Sequence, residues 1–228
     1  MPVAYPGAKA FRMSSPEPTS PLRKATRDVR RQQLIDATIK VLGQKGYASL
    51  TVADVARLAG LSTGIVIFHF NSKDELLAAT MQHLAAEYRQ HWDAVVAAAG
   101  PDATSRLRAL LLADFDTAIF TPEKLAAWIA FWGEAQGRPT YDQICAGLDA
   151  ERCEATRVLC AEINMAGGYG LDPTLVMRTL ESLCDGLWLG VAADGAGHPG
   201  GVSAEQANAS MLAALAAFFP RHFAQNKI

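Results

Sequence analysis

The stretch Gly60-Leu-Ser-Thr-Gly-Ile-Val-Ile-Phe-His-Phe-Asn-Ser-Lys-Asp-Glu-Leu-Leu77 decides how this chain is read. Gly60 follows a short apolar run and is the C′ stop of a helix from Val52 to Ala59, which Thr51 opens as N-cap with Asp54 three positions on. Ser62 caps a second short helix over 63–70. Ser72 and Glu75 have the spacing of a capping box and launch a long helix from Lys73 to about Ala99. Upstream, Leu34, Ala37, Ile39, Val41 and Leu42, with Val29 before them, give a helix of about Ala25 to Gln44 that ends at Gly46. Two short helices around a glycine turn, behind a longer apolar one, have the spacing of a helix-turn-helix unit. Val52, Val55, Ala56 and Leu61 are placed to bury against the first helix. Ser62, Thr63 and Gly64 open the second short helix, where side chains first meet base edges, and the small Gly64 permits close backbone approach.

Helical signals continue outward from this unit, with no convincing alternating strand. Thr121-Pro122 and Asp172-Pro173 each place a proline just inside a helix start, and Ser203 with Gln206 makes another capping box. Gly137-Arg138-Pro139, Gly167-Gly168-Tyr169-Gly170 and the glycine-rich stretch from Ala193 to Gly201 are breaks. The implied helices run over about 104–120, 122–136, 140–165, 173–193 and 203–219, nine in all. The expected fold is therefore all-α, about nine helices: a three-helix unit with the helix-turn-helix over 23–72 and a larger helical body over 73–228. The first 22 residues hold five prolines and no continuous apolar stretch, so they are expected to be a disordered tail and not a secretory signal.

Charge supports this division. Residues 1–75 hold 11 Lys or Arg against 6 Asp or Glu, while the remainder holds 10 against 17, although the whole chain is only −2. A basic head on an acidic body suits a polyanion-binding module joined to something else, because phosphate attraction needs local positive charge. The longest apolar runs fall short of the roughly 18–20 residues of a membrane span. Cys145, Cys153, Cys160 and Cys184 form no CxxC pair and lie in apolar patterns, which fits reduced thiols in a cytoplasmic protein and no metal site.

The run from Gly60 to Leu77 closely resembles the recognition-helix signature of the TetR family, and 37–61 resembles that family's first two helices. The resemblance covers about 50 residues. It implies that 23–72 is a DNA-binding domain and 73–228 a ligand-binding and dimerisation domain, with a dimer formed chiefly by the last two helices, a pseudo-palindromic double-stranded operator, and release of DNA when a small-molecule effector repositions the fourth helix. Carried over by position, Thr51, Ser62, Thr63, Gly64, His69 and Lys73 are the DNA contacts. Lys24, Arg27, Arg30 and Arg31 add a basic edge. Family members often carry tyrosine and histidine where this chain has Ile67 and Phe68, so these two are expected as core residues or as apolar contacts to thymine methyls.

A narrower resemblance, to the BetI-type branch, rests on Ala127-Trp128-Ile-Ala-Phe131-Trp132 and Asp185-Gly-Leu-Trp188-Leu. Named members of that branch sense choline. Trp128, Phe131, Trp132 and Trp188 are accordingly candidates for a cage around a quaternary ammonium ion, with Asp185 or Glu134 balancing charge. A core stripe at helical spacing explains the same rings.

Rival classes find less support. The chain lacks a P-loop, a GxSxG elbow and an HExxH helix, Asp114 and Asp116 point about 200° apart on a helix, and His83 and His91 have no third ligand beside them, so neither enzyme nor cofactor is expected. Apolar residues on the last two helices, including Leu175, Leu180, Leu183, Leu187, Met211, Leu212, Leu215 and Phe218, exceed what one monomer's core requires. They predict a two-fold dimer with recognition helices about 34–36 Å apart.

Overall fold

A computed structural model describes residues 21–134, 139–195 and 197–223. Nine α-helices are present among them: α1 (Pro21–Ser49), α2 (Val52–Leu58), α3 (Thr63–Phe70), α4 (Lys73–Ala98), α5 (Ala103–Leu112), α6 (Pro122–Gly133), α7 (Pro139–Gly167), α8 (Pro173–Gly195) and α9 (Ala204–Phe218). The described residues hold no strand. No single helix among them is long and apolar enough to cross a membrane. Of the expected N-terminal tail, residues 1–20 lie outside the description, and Pro21 already begins α1.

The local signals translate into specific bonds. Gly46 interrupts α1 at φ 74°, ψ 174°, and Gly60 takes φ 66° after α2, both conformations that a Cβ disfavours. The chain bends by 110° between α2 and α3, the angle of a helix-turn-helix. Thr51 accepts from the Asp54 backbone N–H at 3.2 Å and donates to Asp54 Oδ2 at 2.8 Å. The Ser203–Gln206 capping box is complete. At Ser72 only half of the expected box forms, because Glu75 turns its carboxylate to the Asn71 side-chain amide at 2.8 Å and not to the Ser72 backbone.

The expected helix over 104–120 is broken. After α5 the chain makes a single 3-10 turn (Ala113–Phe115) and then extends at Asp116, whose carboxylate accepts from the Ala118 N–H at 2.9 Å. The local aspartate bond outcompetes helix continuation. It leaves Asp114 and Phe120 facing a cavity described below.

Two apolar cores lie along the molecule. The first joins Leu34, Leu42, Leu50, Val55, Val66, Phe70 and Leu77 to Ala127 and Phe131 of α6. The second gathers Trp92, Leu107, Leu110, Leu159, Ile163, Leu180, Met211, Leu215 and Phe219. Helix α4 runs through both, and Gly43 brings α1 onto α6 closely enough that a Cβ there would sit 3.5 Å from the Glu123 carbonyl oxygen and from Ala126 Cβ. Val29, placed in the helical rhythm by the sequence, is 66 % exposed because it precedes the first neighbouring helix of the core.

Asp54 ties the helix-turn-helix to the end of α1. Lys45 lies 2.7 Å away and Arg57 also bonds to the carboxylate; Lys45 first, and then the Thr51 hydroxyl, hold its pKa at about 2, below the ordinary 3.8. A depressed carboxyl stabilises the folded state above its unfolded pKa and loses that effect as pH falls through the folded one. Asp54→Asn is therefore expected to lower the melting temperature at pH 7, with the difference from wild type shrinking between about pH 4 and pH 2. Thermal melts followed by circular dichroism check this; a difference that stays constant over that range would refute it.

Candidate functional site

Two surfaces carry chemistry, one at each end of α4. At the first, α3 buries Val66 and Phe70 and leaves Ser62, Thr63, Gly64, Ile67 and Phe68 exposed. Ser62 makes no side-chain bond to the α3 backbone, which leaves its hydroxyl and the first N–H groups of the helix directed outward, the arrangement that receives a phosphate or base edge. A Cβ on Gly64 would meet nothing closer than Ser62 Oγ at 3.8 Å. Glycine is not required there by packing; its effect is to keep the outward face low.

Arg27, Arg30 and Arg31 are exposed beside this face, with the Arg27 guanidinium 5.9 Å from the Phe68 ring and that of Arg31 5.1 Å from the Phe70 ring. Lys24 lies in α1, but its side chain is outside the described residues. Lys73 stands half-buried in the first turn of α4. The Thr51 hydroxyl is committed to Asp54, so its cap leaves the N-terminus of α2, more than the hydroxyl, to meet a phosphate. His69 is half-buried with its ring edge-on to Phe68 and Nδ1 buried without a partner. Desolvation first, and then the charges of Arg27, Arg31 and Arg30, lower its pKa. The outward ring is Phe68, at 70 % exposure, with Ile67 at 46 %. Neither is a core residue.

At the other end, Tyr88 of α4, Asp114, Phe120, Trp128 and Trp132 of α6, Asp149, Arg152 and Cys153 of α7, and Glu181, Asp185 and Trp188 of α8 enclose a cavity of about 340 Å³. Rings meet edge to face around it, Tyr88 with Phe120 at 5.7 Å and Trp128 at 6.5 Å, and Phe120 with Trp188 at 6.2 Å between centroids. The sequence-expected Trp128, Trp132, Trp188 and Asp185 all line it. Phe131 does not: it is buried at 3 % exposure in the first core, 5.9 Å edge to face from Tyr47. Phe131 directly precedes Trp132, which places it roughly 100° around the helix, enough to turn Phe131 toward α1 while Trp128 and Trp132 face the cavity. Glu134 caps α6 and is not in the lining.

The polar centre of the cavity was not legible from motifs. Arg152 is 6 % exposed and places Nε 2.9 Å from Glu181 Oε2 and Nη1 2.9 Å from Asp114 Oδ1, with a further bond to the Tyr88 hydroxyl. Tyr88 donates to Asp114 at 2.9 Å, Cys184 Sγ donates to the other Asp114 oxygen at 2.9 Å, and Thr156 donates to Glu181 at 2.6 Å. Burial first, then the neighbouring Asp114, pushes the Tyr88 hydroxyl and the Cys184 thiol well above their ordinary values, so both are protonated donors. Cys145 and Cys160, buried in apolar surroundings, rise to about 12. Asp149 and Asp185 are exposed at the rim, yet desolvation, opposed by Arg152 and reinforced by Glu181, raises the pKa of both. The only sequence hint was the i, i+3, i+4, i+7 series Asp149, Arg152, Cys153, Thr156, matched by Glu181, Cys184, Asp185, Trp188 on α8.

A helix-turn-helix joined by one continuous helix to a ligand-sized cavity defines a ligand-responsive DNA-binding regulator. Residues 34–80 match the family described as bacterial regulatory proteins, tetR family, and 103–220 match the BetI-type transcriptional repressor C-terminal domain. The regulator BetI of Paraburkholderia phytofirmans is 37 % identical over 173 residues, covering 74 % of this chain and 85 % of that protein. BetI of Burkholderia thailandensis is 37 % identical over 169 residues, covering 72 % and 82 %. Among solved structures, a transcriptional regulator of Pseudomonas aeruginosa shares the fold with a TM-score of 0.71 at 23 % identity, covering 88 % of this chain and 95 % of its own. One from Saccharomonospora viridis, in complex with choline, has a TM-score of 0.68 at 18 % identity over 82 % and 96 %. The chain belongs to the TetR family of transcriptional regulators, in its BetI-type branch.

Phosphate contacts act uniformly across sequences, whereas base contacts discriminate. Lys73→Ala is expected to weaken binding to every DNA sequence and reduce the slope of log affinity against log salt by about one unit. Phe68→Ala should leave the slope unchanged and relax the preference at one base position of each half-site. Fluorescence anisotropy over a salt series and a library of operator variants checks both; an unaltered slope for the lysine variant removes it from the contacts.

Proposed function

We propose that this regulator represses transcription as a dimer on a two-fold DNA site and is released by a small organic cation bound in the aromatic, acidic cavity. The observation that carries the reading is the cavity's composition: five aromatic rings together with Asp114, Asp149, Glu181 and Asp185 against the single cation Arg152. Ring faces attract a cation through their quadrupoles, and that attraction grows in a partly desolvated site. The choline bound to the Saccharomonospora viridis regulator supports a cation as ligand for the shared fold. DNA contacts are assigned to Thr51 through its helix N-terminus, Ser62, Thr63, Gly64, Phe68, Lys73 and the arginines of α1, with His69 orienting Phe68.

Dimerisation is assigned to α8 and α9. Leu180, Met211 and Leu215 are 0 % exposed within one subunit, so they serve its own core and not the interface expected of that apolar stripe. Leu175 and Leu189 remain, 63 % and 43 % exposed. Fourteen residues at about 100° each return within roughly 40° of four full turns, so the two share a face of α8. Leu175→Glu with Leu189→Glu is expected to convert the dimer to a monomer and to abolish tight operator binding, read by light scattering and gel shift. A wild-type chain that is monomeric at micromolar concentration would count against this assignment.

Trp132 is 42 % exposed at the cavity mouth, so its removal tests the cage without emptying a core. Trp132→Ala should cost about 1–2 kcal/mol of affinity for choline through lost cation–π attraction, with operator binding in the absence of ligand unchanged. Because Asp149 and Asp185 have raised pKa values, the empty site takes up protons more readily than ordinary aspartates. Cation binding favours their ionised form, so affinity is expected to fall as pH is lowered through that raised range. Calorimetric titrations with choline at several pH values measure it. Affinity independent of both pH and Trp132 would sink the cationic reading.

A further inference from the structure

The cavity's charges are arranged on two levels. At the inner level Arg152, Asp114 and Glu181 bond to one another and to Tyr88, Cys184 and Thr156, and every carboxylate oxygen there has a donor. Two carboxylates against one guanidinium leave that level one negative charge in surplus. The outer level holds the exposed Asp149 and Asp185, which make no hydrogen bond or ion pair among the described residues. Glu181 and Asp185 stand one turn apart on α8, about 6 Å along the helix axis at 1.5 Å per residue, and Asp149 precedes Arg152 by nearly a turn on α7. Trp128, Trp132 and Trp188 wall the same space.

The protein's own cation shows how these walls hold positive charge. The Arg152 guanidinium lies 5.9 Å from the Tyr88 ring and is shared between two carboxylates. One quaternary ammonium ion satisfies a ring cage, but it donates no conventional hydrogen bond to the two unpaired aspartates and balances only one of three surplus charges. A ligand with two ammonium groups separated by a three- or four-carbon chain balances one charge at each level, donates hydrogen bonds to Asp149 and Asp185, and lays its methylene chain along the indole rings.

We propose that the effector is a short aliphatic diamine or polyamine, held with one ammonium group against Asp149 and Asp185 and the other toward Asp114 and Glu181. This rests on the reading of the cavity as a site for an organic cation. It differs in the charge and donor count of the ligand, because surplus carboxylates favour a second positive charge and an ammonium N–H donates strong charge-assisted hydrogen bonds to a carboxylate.

Calorimetric titration of the full-length protein with butane-1,4-diamine, n-butylamine and choline tests it. The diamine is expected to bind at least about ten-fold more tightly than n-butylamine, equivalent to about 1.4 kcal/mol, and more tightly than choline, and to release the protein from its operator. Asp185→Asn should bring the diamine and n-butylamine to within about three-fold of each other while leaving operator binding intact. Asp149→Asn serves as an independent second variant if the first melts at a lower temperature. Choline or n-butylamine binding as tightly as the diamine overturns the diamine proposal and leaves the cationic cavity standing. Failure of all three to bind overturns both.

Discussion

A buried guanidinium is the constraint around which the sensing half is organised. Arg152 projects from α7 into a space enclosed by Tyr88 of α4, Asp114 at the 3-10 turn, and Glu181 and Cys184 of α8. Removing one partner from such a buried pair typically costs about 3–5 kcal/mol, because the remaining charge is left without compensation. Four elements distant in sequence are thereby held in register by hydrogen-bond geometry, where apolar packing alone tolerates sliding. The broken fifth helix belongs to the same arrangement, since an unbroken one would not present Asp114 and Phe120 together.

That register matters for DNA through α4. Tyr88 is fifteen residues from Lys73 on one continuous helix, a distance of about 22 Å at 1.5 Å per residue. A second link runs through α6, where Lys124 Nζ approaches both Glu87 carboxylate oxygens at 2.6 and 2.7 Å while Gly43 seats α1 against the same helix. The wall that carries Trp128 and Trp132 is thus also the support of the helix-turn-helix, because Ala127 and Phe131 on its opposite side lie in the first core. The cavity wall and the contacts with the DNA-binding domain are made by different faces of one short helix. A cation that redistributes the bonds of Asp114 or Glu181 acts directly on Tyr88, and so on α4, which gives the two sites a physical route for coupling.

The recognition surface follows a different logic. Its arginines cluster on the exposed start of α1, where their repulsion is relieved by solvent and by the rings of Phe68 and Phe70. With His69 kept neutral by desolvation and that same cationic neighbourhood, the outward face of α3 combines small hydroxyls with apolar Ile67 and Phe68. Such a surface suits apolar contact and shape complementarity better than donor and acceptor pairing.

Much of the fold was set locally, and so was readable. Thr51, Ser72 and Ser203 set helix starts through side-chain bonds to the backbone three residues on, Gly60 ends α2 with a positive φ, and the helix-turn-helix follows from their spacing. Trp128, Trp132, Asp185 and Trp188 are legible through the resemblance to the BetI-type branch, and spacings of four and three residues put each pair on one face of its own helix. Periodicity could not say which face meets a cavity and which a core, so Phe131 was grouped with its neighbours until the position of Tyr47 decided it. Nor could it find Tyr88, Asp114, Arg152 and Glu181. Each is an ordinary polar residue on its own helix and becomes a site only where four segments converge, since long-range hydrogen bonds between partners 25 to 64 residues apart leave no local pattern. The sequence by itself determined the elements and the DNA-facing motif, through short-range capping and spacing. The tertiary structure alone decided the charge and shape of the cavity, because both depend on which surfaces the packing of α4, α6, α7 and α8 removes from water.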